Sequence, residues 1–323
     1  GNLLIADARK IGRLPSIKYI SSYLLNHYVD VIISSGPPHS THLIAMELQK
    51  KFKISWLADF RDPWTNIDFY KDLRLSKWAD NKHKSLESDV LKNADMVLTI
   101  GNQLKKELFA LGAKKVQVLE NGYDPEDFKI NSSKELDTNF TIAHIGSFSP
   151  SRNHEIFWKV LRKICDENIL FKSKFKLKLI GNIDFSVLKS ISNFGLENYV
   201  EKMGYISHKD VINEQRNSRV LLLMVNDSPN SRGIITGKVF EYMASKRPIL
   251  VIGPEDGDLA TIINQTQSGY VCGFNNEIKL EESVLKLFNN KNDINSNSKI
   301  YSRENLTKKL SSILDKVVHK VNS

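Results

Sequence analysis

The residues of this chain most able to do chemistry are charged side chains placed beside glycine or tryptophan at the ends of apolar runs. The fullest case is Arg232-Gly-Ile-Ile-Thr-Gly-Lys-Val-Phe-Glu-Tyr-Met-Ala-Ser-Lys-Arg-Pro-Ile-Leu250. Thr236 and Gly237 can open a helix whose free N–H groups suit a phosphate, and Lys238 adds a point charge there. Glu241 follows one turn on, among Phe240, Tyr242, Met243 and Ala244. A lone carboxylate in so apolar a setting is costly, and two hydroxyl hydrogen bonds from a ribose would satisfy it. The plain alternative is an i,i+3 pair with Lys238, worth about 0.2–0.5 kcal/mol on a helix surface. That pair does not account for an acid in this segment.

Four further stretches carry weaker signals. Ile142-Ala-His-Ile-Gly-Ser-Phe-Ser-Pro-Ser-Arg-Asn153 reads as a strand, then Gly146, a polar loop and Arg152. Glycine lets backbone approach a ligand, and arginine offers a two-pronged fork to phosphate oxygens. In Ala58-Asp-Phe-Arg-Asp-Pro-Trp-Thr65, the charges Asp59, Arg61 and Asp62 cluster at the end of an apolar strand beside Trp64. They form either a structural ion pair or a substrate contact at the carboxyl end of a strand. Ser34-Ser-Gly-Pro-Pro-His-Ser40 carries Gly36 and His39 between a strand and a helix that Ser40 or Thr41 can cap. It reads equally as an ordinary strand-to-helix turn stiffened by two prolines. Gly204-Tyr-Ile-Ser-His-Lys-Asp210 is chiefly a helix start at Ser207-x-x-Asp210, though the backbone at Tyr205 and Ile206 could face a nucleobase. The eight histidines show no metal-ligand spacing, and no GxSxG or Walker pattern is present, so no metal site is expected.

Elements must position these groups, and 323 residues suffice for two domains with separate cores. At 41% hydrophobic and 26% charged residues, the composition is that of a folded protein. No apolar run approaches the roughly 18 residues of a membrane span. Cys165 and Cys272 stand far apart with no CxxC spacing, which points to a reducing cytoplasm. The formal charge of +9 lies mostly in residues 141–323, without a basic block or an aromatic-interleaved basic motif, so nucleic acid is not an expected partner.

Short β-branched runs alternate with helical periods, the pattern of parallel βαβ units, so the class is α/β. Strands are expected near 30–34, 54–58, 94–100, 115–119, 141–145, 176–180, 200–203, 220–225, 248–252 and 269–272. Helices are expected at 41–52, 79–91, 102–111, 156–165, 185–193, 208–217, 237–245, 258–265 and 279–289. The polar stretch around 129–139 sets a domain boundary near residue 137. A second polar stretch at 289–298 precedes a final helix whose Leu306, Leu310, Ile313, Leu314, Val317 and Val321 form one apolar stripe. Two Rossmann-like halves predict a ligand in the cleft faced by the carboxyl ends of both sets of strands.

Ala94-Asp-Met-Val-Leu-Thr-Ile-Gly101, Val118-Leu-Glu-Asn-Gly-Tyr-Asp-Pro-Glu-Asp-Phe128, His144-Ile-Gly146 through Arg152, and Lys238-Val-Phe-Glu-Tyr-Met-Ala-Ser-Lys-Arg-Pro248 occur in the order found in GT-B glycosyltransferases of family 4, the group 1 glycosyltransferases. The chain resembles that family over nearly its whole length. Arg61-Asp-Pro-Trp64 resembles an element of similar bacterial members. The resemblance implies a retaining, metal-independent transferase without a cofactor. Its second domain would hold a nucleotide-diphosphate sugar, and its first would present a glycan or lipid-linked acceptor, as in surface-polysaccharide synthesis. Arg152 matches the family's phosphate-binding lysine, Lys238 sits near the diphosphate, and Glu241 matches the second Glu of an E-x7-E motif, on the donor ribose. Gly233 stands where the first Glu of that motif belongs, and Ser147 stands where an Arg usually follows the first glycine.

These readings combine into a GT-B architecture of residues 1–137 on the acceptor side, 138–295 on the donor side, and a terminal helix, 296–323, packing back on the first domain. The first good βαβ unit begins only near Asp30, so an incomplete first domain, short by about 80–100 residues, is expected. Arg152, Lys238, Arg61 and Asp62 are the candidate catalytic residues. Gly146, Tyr205, Ile206, Thr236, Gly237, Lys238 and Glu241 are candidates for the donor, and Gly36, His39, Asp59 and Trp64 for the acceptor. The expected location is the cytoplasm, with peripheral contact at the inner membrane face. The alternatives are a non-catalytic nucleotide-binding or scaffold module and a sugar-nucleotide epimerase of the same fold.

Overall fold

A computed structural model describes residues 5–68, 70–129, 136–289 and 297–318. The opening residues 2–4, the linker at 130–135, the 295/296 boundary and Val321 lie outside the described residues. The chain divides into two compact units: residues 1–121 with 304–323, and residues 122–303. Both are α/β with parallel sheets flanked by helices, the architecture that the alternating pattern predicts.

In the first unit, α1 (Arg13–Leu24), β1 (Val31–Gly36), α2 (Ser40–Phe52), β2 (Ser55–Phe60), α3 (Lys77–Asn93), β3 (Met96–Thr99), α4 (Asn102–Ala110) and β4 (Val116–Val118) succeed one another. The sheet runs β1-β2-β3-β4, with Ser35 opposite Asp59 and Gly36 opposite Phe60. Strand alternation sorts the two faces. Trp56, Ala58 and Phe60 join Leu43, Met46, Val90, Leu91, Leu104 and Leu108 from the helices in one core. Leu57, Met96, Leu98 and Leu119 form a second core with Ile313 and Val317. Those last two belong to the terminal helix Arg303–Val318, which covers this otherwise bare face.

The second unit runs β5 (Phe140–Ile145), α5 (Glu155–Glu167), α6 (Ile169–Lys174), β6 (Phe175–Ile180), α7 (Phe185–Asn193), β7 (Val200–Met203), α8 (His208–Asn217), β8 (Val220–Met224), α9 (Lys238–Ala244), β9 (Ile249–Ile252), α10 (Asp258–Thr266), β10 (Gly269–Cys272) and α11 (Glu277–Asn289); the terminal helix is α12. Its sheet order is β10-β9-β8-β5-β6-β7. The chain thus winds outward from β5 to β7, returns to the other side of β5, and winds outward again. Such a sheet has a topological switch between its first and fourth strands, here β5 and β8, where ligands bind outside the carboxyl ends. Its core includes Trp158, Phe157, Phe171, Leu177, Leu222 and Leu250.

Local signals explain several boundaries. Ser207 Oγ accepts from Asp210 N at 3.2 Å and donates to the Asp210 carboxylate at 2.6 Å, so the expected helix start is made by that pair. The expectation that Ser40 or Thr41 caps α2 is corrected. His39 holds the cap position without a side-chain bond. Ser40 gives both its N–H and its hydroxyl to Asp7, at 2.7 and 2.9 Å. Thr41 Oγ1 turns back to the carbonyls of Ser35 and Pro38.

Candidate functional site

The switch point of the second unit gathers most of the donor-side candidates. β5 ends at Ile145, and Gly146 then adopts φ +108°, a left-handed conformation that glycine tolerates without strain. That φ disfavours any other residue here, and a Cβ on Gly146 would lie 2.5 Å from Lys238 Nζ, so the end of the lysine would have to move. The ammonium of Lys238, first residue of α9, therefore rests directly over the glycine. Arg152 reaches the end of β8: its Nε donates to Asn226 Oδ1 at 2.8 Å, and an Nη donates to the Ser147 carbonyl at 3.3 Å. Behind them, Tyr242 OH accepts the Ile145 N–H at 3.2 Å and ties α9 to β5.

The electrostatics of this cluster lean to one sign. Burial, with Arg152 adding repulsion, lowers the Lys238 pKa to about 8, against a smaller raising effect from Glu241. The Lys238 ammonium has no hydrogen-bond or ion-pair partner among the described residues. Burial, with the nearby charges of Lys238 and Arg152, also depresses His144 to about 3, so that imidazole is neutral. Glu241 is half-buried rather than exposed on a helix surface, and its partner is Gln215 of α8, whose Nε2 donates to it at 3.3 Å. A half-buried lysine beside an arginine, with no carboxylate of its own, has room for an anion.

Around this cluster the other candidates are dispersed. Thr236 Oγ1 accepts from Lys238 N at 3.4 Å, and Gly237 is the cap residue of α9. Gly233 ends a short 3-10 turn, and its neighbour Arg232 pairs with Asp256 at 3.0 Å. Tyr205 is 98% exposed and Ile206 half-buried on the segment after β7. Asn226 and Gln215 were not legible as site residues. Asn226 follows an expected strand at the switch point, which is the one signal that could have found it.

In the first unit the acceptor-side candidates fall on opposite faces of the sheet. Asp59 lies inside β2, not in the loop after it, because pairing with β1 carries the strand on to Phe60. Its Oδ2 accepts from Ser35 Oγ at 3.0 Å and Arg61 Nε at 2.9 Å, while Oδ1 is buried without a partner among the described residues. Arg61 also donates to the Leu119 carbonyl at 3.0 Å and to Asn121 Oδ1 at 3.2 Å. Much of its fork is therefore spent on fixing the ends of β2 and β4. Asp62 is exposed beyond them; partial desolvation and Asp68 raise its carboxyl.

On the α2 face, Gly36, His39 and Trp64 do come together. The His39 ring stacks on Trp64 at 4.7 Å and 3°. Trp64 Nε1 donates to His83 Nδ1 at 3.0 Å. Glu87, buried below and raised by desolvation, accepts the Thr65 hydroxyl at 2.5 Å. Burial lowers His39 to about 4 and His42 to about 3, so both rings are neutral. His42, His83 and Glu87 carried no sequence signal beyond residue type.

Among the described residues, no group of three or more His, Cys, Asp or Glu side chains is placed to hold a metal ion. No helix among them is long and apolar enough to cross a membrane.

Against known proteins, the family described as "Glycosyl transferases group 1" matches residues 125–305. No curated protein sequence matches the chain. Among solved structures, sucrose-phosphate synthase from Thermosynechococcus elongatus superposes with a TM-score of 0.65 at 13% identity, over 98% of this chain and 81% of that one. A point mutant of TarM from S. aureus, in complex with fondaparinux, alpha-GlcNAc-glycerol and UDP, gives 0.62 at 15% identity, over 92% of this chain and 58% of that one. A putative UDP-N-acetylglucosamine 2-epimerase from Listeria monocytogenes gives 0.55 at 13%, over 97% and 81%. At these identities the likeness is one of fold.

Proposed function

The chain belongs to the glycosyl transferases group 1 family, and on that premise we propose that it moves a sugar from a nucleoside-diphosphate donor to a hydroxyl of a glycan or lipid-linked acceptor. The observation that carries this reading is the unpaired, half-buried ammonium of Lys238 over Gly146, beside Arg152 and at the switch point of the sheet. Lys238 and Arg152 hold the diphosphate, and Glu241 accepts hydrogen bonds from the ribose hydroxyls. The bond from the anomeric carbon to the diphosphate breaks, the acceptor oxygen bonds to that carbon, and the acceptor proton leaves with the nucleoside diphosphate. Charge developing on the leaving group is met by two cations already in place, the kind of preorganised electrostatics that contributes most to such transfers. With that countercharge supplied by side chains, the reaction is metal-independent. Retention of configuration is assigned from the family resemblance.

The second unit is the donor side and the first the acceptor side, with Gly36, His39 and Trp64 facing the acceptor, Asp62 and the remaining donor of Arg61 orienting it, and Asp59, on the other face of the sheet, serving it only by holding Arg61. Tyr205 and Ile206 flank the base. A surface-glycan role in the cytoplasm, with peripheral contact at the membrane face, follows from where nucleotide sugars and lipid-linked acceptors meet.

Gly233 favours a second reading, a nucleotide-binding module without turnover, because no carboxylate stands where the resemblance calls for one. Calorimetric titration with UDP and GDP, with and without EDTA, tests the shared premise. Saturable, EDTA-insensitive binding is expected, weakened about 10- to 100-fold in Lys238→Met and in Glu241→Ala, the worth of a charge-assisted hydrogen bond of about 1.5–3 kcal/mol. Binding without sugar transfer to any acceptor would select the second reading. No binding of either nucleotide would remove both.

A further inference from the structure

A buried hydrogen-bond chain runs toward His39 from behind. The indole of Trp56, fully buried on β2, donates from Nε1 to Ser34 Oγ at 2.8 Å. Ser34 Oγ lies 2.8 Å from His42 Nδ1. An indole N–H can only donate, so Ser34 accepts from Trp56. Ser34 Oγ has no other hydrogen-bond partner among the described residues, so the acceptor within reach of its own proton is His42 Nδ1. A neutral imidazole that accepts at Nδ1 carries its proton on Nε2.

His42 Nε2 is buried and has no hydrogen-bond partner among the described residues, and the same is true of His39 Nδ1. Both nitrogens border one spot, the place that a Cβ on Gly36 would occupy. A Cβ built there would stand 2.5 Å from His42 Nε2 and 3.0 Å from His39 Nδ1. The two rings are 5.8 Å apart, and His42 is itself clamped by stacking on Phe60 at 4.5 Å. Two N–H groups turned on each other in a buried space repel, whereas an N–H opposite a bare lone pair attracts. With the His42 proton on Nε2 at that spot, a bare His39 Nδ1 is the arrangement with the least repulsion. His39 then carries its own proton on Nε2, which is not among the buried unpaired atoms.

We propose that His42 is a positioning residue: the Trp56–Ser34–His42 chain fixes His39 as the Nε2–H tautomer, so that His39 presents a hydrogen-bond donor to an oxygen of the acceptor substrate. The last clause rests on the acceptor-side reading of this unit; the tautomer itself does not. The chain also accounts for Gly36, since any side chain there would fill the space between the two rings. Stacking on Trp64 fixes the plane of the His39 ring, and the relay fixes which edge of it donates.

Long-range nitrogen–proton NMR of the imidazoles in the full chain at pH 7 tests the relay. Both His42 and His39 are expected as Nε2–H tautomers in the wild type. Ser34→Ala removes the donor to His42 Nδ1, so His42 is expected to lose its single tautomer and His39 to gain Nδ1–H character. Ser34→Thr, which keeps a hydroxyl, is expected to restore both. Gly36→Ala provides a second perturbation from the other side, and unchanged amide spectra away from α2 show that each variant is folded. A wild-type His39 protonated on Nδ1, or tautomers indifferent to Ser34→Ala, would overturn the proposal. In transfer assays, Ser34→Ala is expected to lower kcat/KM for the acceptor at least fivefold while leaving the donor KM unchanged. An unaffected acceptor kcat/KM would overturn the positioning role. A wild type that binds nucleotide but turns over no acceptor would overturn the functional reading and the donor role of His39, while the NMR still decides the relay.

Discussion

The proposed contact of Lys238 with a diphosphate would make nucleotide binding sensitive to pH. Its amine is lowered to about 8 chiefly by burial, with Arg152 adding to the effect. A diphosphate placed against it favours the charged form and raises that value again. The bound pKa then exceeds the free one, so binding takes up a proton above pH 8. Nucleotide affinity is expected to be flat below about pH 7 and to fall as pH rises through 8. The fall is about tenfold for each unit by which the diphosphate raises the amine. Titrations of UDP at pH 6.5, 7.5, 8.5 and 9.5 read this directly, and Lys238→Met should flatten the profile. A wild-type affinity that is constant from pH 6.5 to 9.5 would mean that Lys238 does not meet the phosphate. Gly146→Ala adds a methyl group against the same ammonium at a positive φ, and it is expected to weaken nucleotide binding even though no charge is removed.

At the scale of elements, the informative partnership is α12 with the first sheet. Ile313 and Val317 are 6% and 4% exposed against Leu57, Met96, Leu98 and Leu119. Truncating a buried isoleucine costs about 2–5 kcal/mol when the site cannot collapse, so Ile313→Ala is expected to destabilise the first unit by about that much in urea unfolding followed by tryptophan fluorescence. The exposed pair of Lys309 with Glu120 holds the same helix, yet Lys309→Ala is expected to change stability by about 1 kcal/mol at most. Equal effects would mean that α12 is held by charge rather than by its stripe. That stripe was plain in the sequence, as were all ten strands among the described residues, because short apolar runs bounded by polar turns leave few other assignments. Helix α1 was not, for Leu14, Ile17, Tyr19, Ile20, Tyr23 and Leu24 spread round the helix and mark no single face. The end of β2 departs from its apolar run for a different reason. Parallel pairing with Ser35 and Gly36 carries the strand two residues beyond its apolar run, and takes Asp59 from the loop into the sheet. Site partners such as Asn226 for Arg152, or Gln215 for Glu241, come from distant strands and helices, and no local pattern announces them.

For the whole molecule, the buried histidines set the limits of stability in acid. His39, His42 and His144 are lowered to about 4, 3 and 3, in each case first of all by burial. Each has a folded pKa below the ordinary value near 6.5, so the unfolded chain binds more protons than the folded one below pH 6.5. The contribution of each neutral ring is fully present above pH 6.5, and is lost as pH falls toward its folded pKa. The loss is about 1.4 kcal/mol per pH unit per histidine. Glu87, whose carboxyl is raised by burial, acts with the opposite sign and offsets part of the loss as it protonates. Two of the three histidines lie in the first unit, which also holds Trp56 and Trp64; the second unit holds His144 and Trp158. By pH 5 the two rings of the first unit together remove about 4 kcal/mol, near the lower end of the roughly 5–15 kcal/mol that holds an ordinary domain together, and His144 removes about 2 kcal/mol from the second. Calorimetric melting at half-unit steps from pH 7.5 to 4.5 is therefore expected to show a Tm that is level above pH 6.5 and falls steeply below it. His42→Phe, which keeps a flat ring against Phe60 but cannot be protonated, is expected to reduce the steepness even if it lowers the Tm at neutral pH through the loss of its bond to Ser34. A Tm as level between pH 6 and 5 as it is above 6.5 would show that these rings are already charged in the folded chain.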